Sequence, residues 1–240
     1  MEWEALREAV RDANRAIASA GLAPLTWGNA SGIDRDGGIM AIKPSGVAYE
    51  ALRPEDIVLV EVAAGVARDA ALRPSSDTRT HLRLYEAFPQ VGGIVHSHSV
   101  HATAWAQAGR AIPCLGTTHA DHFAGDIPIV RFLDEEEIDE DYEGKTGESI
   151  VEYFRHNGID PLAVPGALVS GHGPFAWGET VSRAVENAIA LEKIAELALL
   201  TLSIVADLPE LPAHVRDKHF QRKHGPEAYY GQGSSDAEPR

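Results

Sequence analysis

Val91-Gly92-Gly93-Ile94-Val95-His96-Ser97-His98-Ser99 is the stretch on which the reading of the fold turns. Small and β-branched residues after Pro89 predict a buried strand that ends on two histidines at positions i and i+2. Side chains two apart on a strand share a face, so both imidazoles can reach one ion. In a chain with 11 histidines such a pair also arises by chance, so its meaning depends on further ligands.

Just upstream, Leu82, Leu84, Tyr85 and Phe88 fit a helix that starts from Ser75 and is closed by Pro89; downstream, a helix runs from near Ser99 to before Gly109. Further out, Trp3, Leu6, Val10, Ala13 and Ile17 recur at steps of three and four, a helix face that Gly21 terminates. ASGID (30–34), IMAIK (39–43) and DIVLVEV (56–62) read as strands joined by short turns, hence antiparallel. Toward the C-terminus the pattern predicts strands at 127–131 and 166–170, a helix at 147–156 and a long apolar helix at 180–202. That last helix is apolar around more than one stripe, which suits the core or a subunit contact. The acidic segment 134–143 reads as a solvated face, with Glu143 its one member to watch. The sum is one α/β or α+β domain with a largely antiparallel sheet covered by helices, ending in a disordered tail from Gly231 to Arg240. A dinucleotide-binding fold is the alternative, but Gly171-His172-Gly173-Pro174-Phe175-Ala176 comes too late and contains proline, so it is rejected as a cofactor loop.

Composition narrows the function. A chain of 240 residues with one cysteine is large enough for its own core and is no disulfide scaffold. The apolar runs fall short of a membrane span and the charged N-terminus is unlike a signal peptide, so a soluble, cytoplasmic protein is expected. The net charge of −15 argues against nucleic-acid and anionic-membrane partners. An anionic substrate must therefore find a local positive pocket.

Three segments offer one. Trp27-Gly28-Asn29, Lys43-Pro44-Ser45-Gly46 and Pro74-Ser75-Ser76 combine small residues, hydroxyl or amide donors and one cation, the means by which backbone N–H groups cradle phosphate. His172, flanked by Gly171 and Gly173 after an apolar strand, is a candidate third ligand. Asp77 is either a helix N-cap or a fourth ligand; three imidazoles and a carboxylate suit zinc, with manganese, cobalt or nickel as other candidates. Cys114 reads as a core residue, and the segment from Lys218 to Tyr230 as a surface helix with a loose end.

TWGNASGID, IKPSGV, PSSDT, GGIVHSHS, HATAWAQAG, GTTHAD, GHGPFAWG and DKHFQRKHG with AYYGQ together resemble the epimerase branch of the class II aldolase/adducin family, in order and at compatible spacing. The resemblance runs to about Gln232 and implies a single-domain three-layer α/β/α fold over residues 1–232, with only 233–240 left as a disordered tail, assembled as a homotetramer with active sites between subunits. It implies metal ligation by Asp77, His96, His98 and His172, and binding of a small-molecule sugar phosphate by Gly28, Asn29, Lys43, Ser45, Gly46, Ser75 and Ser76. It assigns acid/base roles to Asp121 and Tyr230, with Tyr230, His219 and Arg222 supplied by the adjacent chain. The implied reaction interconverts L-ribulose 5-phosphate and D-xylulose 5-phosphate by cleaving and re-forming C3–C4. A sugar-phosphate aldolase, a sugar-acid phosphate decarboxylase and a noncatalytic adducin-head-like module are the alternatives; the aldolases resemble one another in a longer Glu near the place of Asp77. Val100, His122 and Ala124 depart from the family pattern and bear on substrate fit.

Overall fold

The computed structural model describes residues 3–68 and 71–229. Its helices are α1 (Glu4–Ser19), α2 (Thr78–Ala87), α3 (Val100–Gln107), α4 (Thr117–Ala120), α5 (Glu135–His156), α6 (Val181–Ile204) and α7 (Ala213–His224). Its strands are β1 (Asn29–Asp34), β2 (Ile39–Ile42), β3 (Val58–Glu61), β4 (Val66–Ala67), β5 (Gly93–His96), β6 (Ile129–Val130), β7 (Gly166–Val169) and β8 (Gly173–Gly178). They form one sheet in the order β4-β3-β2-β1-β5-β8-β7-β6. Only β6 and β7 run parallel; every other neighbouring pair is antiparallel. The predicted α/β domain with a largely antiparallel sheet is the one found.

Alternation along β1 shows why helices cover both faces. Ser31 points toward α2, where its hydroxyl meets His81 Nδ1 at 2.7 Å and the Tyr85 hydroxyl at 2.9 Å. Gly32 points the other way, where a Cβ would lie 2.5 Å from Val181 Cγ2 and 3.0 Å from Leu6 Cδ1, so the missing side chain lets α1 and α6 close onto the sheet. The rings of Phe88, Phe154 and Trp177 pack edge-on or tilted at 5.3–5.7 Å on the α2 and α5 side. The layers are thus helix, sheet, helix.

Two elements differ from the sequence reading. The acidic segment is not merely a solvated face: it forms the first turns of α5, opened by a capping box in which Asp134 Oδ1 accepts from Glu137 N and Glu137 Oε2 accepts from Asp134 N, both at 2.9 Å. That helix is broken at Asp141, whose φ of −167° and ψ of 75° are non-helical. The segment GPFAWG, for which the pattern predicts no strand, is the buried strand β8. Pro174 is the second residue of that strand, and its carbonyl accepts from Ser97 N at 3.3 Å, just past the end of β5. As for α6, its first two-thirds are core, while Leu200 and Ile204 near its end are 53% and 83% exposed.

One register row sets up the site. Asn29 of β1 pairs with His96 of β5, which pairs with Phe175 of β8. Directly paired residues share a face, so these side chains line up on the α2 side of the sheet.

Candidate active site

His96 is the last residue of β5, and its ring stacks on Phe175 at 4.3 Å. Its Nδ1–H donates to the Pro174 carbonyl at 3.0 Å, which leaves Nε2 with the lone pair in the neutral ring. The strand stops there, so His98 does not share a strand face with it as the spacing predicts. His98 lies instead in the loop before α3, and its Nε2 still reaches 3.2 Å from His96 Nε2. His172 follows Gly171, which at φ +70° makes the turn off β7, and precedes Gly173, where a Cβ would sit 2.8 Å from the Ser97 carbonyl. The ligand-type nitrogens of His96, His98 and His172 all lie within 4.8 Å of one another.

Burial, together with the neighbouring His96, lowers the pKa of His98 and pushes that of His172 down to about 4. Neutral rings with converging lone pairs are what a divalent transition metal requires, and His172 Nδ1 has no hydrogen-bond partner among the described residues. The donor set fits such an ion. Asp77 lines the same cavity but stands outside the three-imidazole group. It occupies the N-cap position of α2 without making a cap hydrogen bond; its Oδ2 instead accepts from Asn29 Nδ2 at 2.6 Å. Burial opposes its ionisation, yet the adjacent His96 and His81 and the Asn29 donor outweigh that and hold the carboxyl below its ordinary pKa.

The three anion-cradle segments meet at this point. Ser45 N donates to the Arg73 carbonyl and Ser75 N to the Lys43 carbonyl, each at 3.0 Å, which lays 43–46 alongside 73–75. Asn29 Nδ2 donates to Ser75 Oγ at 2.9 Å, tying in the third segment. A cavity of about 440 Å³ is lined by Gly28, Asn29, Lys43, Ser45, Gly46, Ser75, Ser76, Asp77, His96, His98 and His172. Lys43 is buried, 4.8 Å over the Tyr49 ring, and burial lowers its pKa to about 8.

Asp121 is elsewhere: it does not line this cavity. It follows α4 and receives α7, with Arg222 Nε on Oδ1 at 3.0 Å, Arg222 Nη2 on Oδ2 at 2.7 Å and His219 Nδ1 on Oδ1 at 3.0 Å. The resemblance supplies His219 and Arg222 from the adjacent chain; within this chain both bind Asp121. The docking of α7 on α4 makes them one unit. Tyr230 and the tail at 233–240 lie outside the described residues. Val100, His122 and Ala124 do not line the cavity either, and Val100 is exposed.

Sequence reasoning missed several residues around the site. Tyr49 donates its hydroxyl to the Trp27 and Gly28 carbonyls, both at 2.8 Å, and so fixes the first cradle segment while facing Lys43. Tyr142, just after the Asp141 break, sets its ring 6.2 Å from that of His172. The break is held by Arg79 on Asp141 at 2.9 Å, and next to it Thr80 Oγ1 donates to the Glu143 carbonyl at 2.6 Å. Glu143, the acidic residue singled out above, thus contributes a backbone contact to α2. Neither tyrosine stands in a motif, and only contacts distant in sequence reveal them.

Known proteins resemble this chain in sequence and in fold. Residues 8–199 match the family described as the Class II Aldolase and Adducin N-terminal domain. The chain is 51% identical over 227 residues to the L-ribulose-5-phosphate 4-epimerase UlaF of Salmonella paratyphi C (strain RKS4594), covering 95% of this chain and 98% of that protein. Among solved structures, an L-fuculose 1-phosphate aldolase has a TM-score of 0.75 at 20% identity, covering 90% of this chain and 95% of that one. The L-fuculose 1-phosphate aldolase from Glaciozyma antarctica PI12 has a TM-score of 0.72 at 20% identity, covering 92% and 82%. At those identities the two structures speak for the fold alone.

Proposed function

Because this chain belongs to the class II aldolase and adducin N-terminal domain family, we propose that it is an enzyme interconverting L-ribulose 5-phosphate and D-xylulose 5-phosphate by opening and re-forming the C3–C4 bond. The observation that carries this reading is the single cavity in which three imidazoles and Asp77 face the three anion-cradle segments. The 51% identity to an epimerase across nearly the whole of both chains points the same way.

The chemistry demands such a site. The C4–H of a 2-ketopentose phosphate is not acidic, so inversion at C4 needs the C3–C4 bond to open and close again on the other face of the aldehyde. A divalent metal, for which zinc is our candidate with manganese, cobalt or nickel as substitutes, supplies Lewis-acid polarisation of the ketone and its neighbouring hydroxyl. His96, His98 and His172, with Asp77, would hold it. Lys43, the hydroxyls of Ser45, Ser75 and Ser76 and the backbone of Gly28 and Gly46 bind the phosphate; retaining that group keeps the aldehyde fragment in place while it rotates. Asn29 orients Asp77 and keeps its buried Oδ1, which has no partner among the described residues, for the substrate.

The C4 oxygen loses a proton before cleavage and regains one afterwards, from opposite sides in the two epimers, so two groups are required. We assign these to Asp121 and Tyr230. Asp121 does not line the cavity of its own chain, which supports a homotetramer whose active sites lie between subunits. In it the unit of Asp121, His219 and Arg222 faces a neighbour's histidines. No helix among the described residues is long and apolar enough to cross a membrane; with a phosphorylated substrate, the cytoplasm is the compartment we propose.

Incubating the purified protein with L-ribulose 5-phosphate tests the reading. D-xylulose 5-phosphate should accumulate to an equilibrium mixture. Stoichiometric release of dihydroxyacetone would show an aldolase instead.

A further inference from the structure

The site has an anchor that none of the motifs contains. Glu192 lies on α6, 8% exposed, and its carboxylate reaches the first turn of α3. His101 N–H and His101 Nδ1–H donate to Oε1 at 3.0 and 2.8 Å, and Ala102 N–H donates to Oε2 at 3.0 Å. The residue at the N-cap position of α3, Ser99, makes no side-chain cap hydrogen bond. Free N–H groups at a helix start need an acceptor, and an anion there is favoured by the helix dipole. Glu192 therefore serves as the cap of α3 from 90 residues away.

What α3 carries gives this cap its importance. His98 stands two residues before the helix begins. At the other end, the Ala106 carbonyl accepts from Gly171 N at 2.9 Å, and so holds the turn that presents His172. A second tie to α6, Trp105 Nε1 on the Ala195 carbonyl at 3.0 Å, keeps the helix from rotating. Two of the three converging imidazoles are thus referred to one short helix, and that helix to α6. We propose that Glu192 is a positioning residue of the metal centre: through α3 it sets His98 and His172 against His96. This rests on the metal-centre reading above. Outer-shell groups that orient ligands typically influence metal affinity about 10–100-fold.

The test measures zinc affinity of the full-length protein by competition with a chromophoric chelator, and records the visible spectrum of the cobalt-loaded form, for wild type, Glu192→Ala and Glu192→Gln. The expected result is a folded Glu192→Ala whose zinc affinity falls about 10–100-fold with an altered cobalt spectrum. Glu192→Gln, which keeps one acceptor oxygen but turns an amide donor toward a backbone N–H, should fall between. If Glu192→Ala does not fold, Glu192→Gln alone must show weakened zinc binding at unchanged helical content. Wild-type affinity and spectrum in the variants, even with a lowered melting temperature, would reduce Glu192 to a structural role and overturn the proposal. Wild type that binds no zinc would overturn the metal-centre reading itself, an outcome the wild-type titration identifies on its own.

Discussion

Arg222 grips Asp121 through both carboxylate oxygens, Nε to Oδ1 at 3.0 Å and Nη2 to Oδ2 at 2.7 Å. Bidentate pairing of this kind fixes orientation as well as charge. Replacing Arg222 with Met should loosen α7 from α4, lower stability by about 1–3 kcal/mol and reduce turnover, as read by thermal denaturation and initial rates. The pH dependence has a definite sign. Burial acts to raise the Asp121 pKa, but Arg222, His219 and Lys223 outweigh it and hold the carboxyl below its ordinary value. A group with a lowered folded pKa contributes its stability above the unfolded value, about 3.9, and loses it as pH falls further. The gap between wild type and Arg222→Met should thus be full at neutral pH and close below about pH 4.

Lys43 is buried at a cost, and burial lowers its pKa to about 8. On the proposed reading its charge attracts the substrate phosphate, so kcat/KM should decline as pH rises through about 8. Lys43→Met should remove that decline and raise KM roughly tenfold or more, the loss of about 1.4 kcal/mol. Because the folded pKa lies below the unfolded one, the burden on stability is full below about pH 8 and relieved as pH rises from there toward 10.5. Near neutral pH the variant should therefore melt higher than wild type while working worse.

Gly28 has φ +85°, and a Cβ there would sit 2.5 Å from the His96 carbonyl oxygen. Gly28→Ala should cost about 1–2 kcal/mol for the left-handed backbone alone. The clash should also displace His96, so zinc content measured after dialysis should drop along with the melting temperature. An alanine variant with full metal content would show that the contact relaxes without moving the ligand.

On the proposed assignment, Asp121→Asn and Tyr230→Phe remove the two proton-transfer groups and replace none of the candidate ligands. Each should keep its metal and lose most turnover, on the order of 100-fold or more. Near-normal rates in both would contradict their assigned roles.

Most of the site was readable because its residues sit in short local motifs. Glycines beside His172 and the small residues around Asn29, Lys43 and Ser75 announce backbone turns and N–H donors within a few positions. The helix and strand periods gave α1, α2, β1, β2 and β5 to within a few residues. The failures have physical causes. The capping box from Asp134 to Glu137 was present in the acidic segment, but its charge hid the helix. The strand β8 has glycine and proline at its start, which mask a buried strand. His96 and His98 come together without sharing a strand face, since β5 stops at His96 and His98 turns back from the following loop. Contacts such as Glu192 to Ala102 or Arg222 to Asp121 join residues 90 and 101 positions apart, and nothing local encodes them.

The central claim is that three imidazoles and Asp77 hold one cation that the C3–C4 chemistry requires. Metal analysis of the purified protein, before and after chelation and re-addition of zinc, with D-xylulose 5-phosphate formation followed in parallel, tests it most directly. One zinc per chain is expected, with metal and activity lost together and both recovered. A folded protein that binds no metal, or that keeps its rate when stripped, would contradict it.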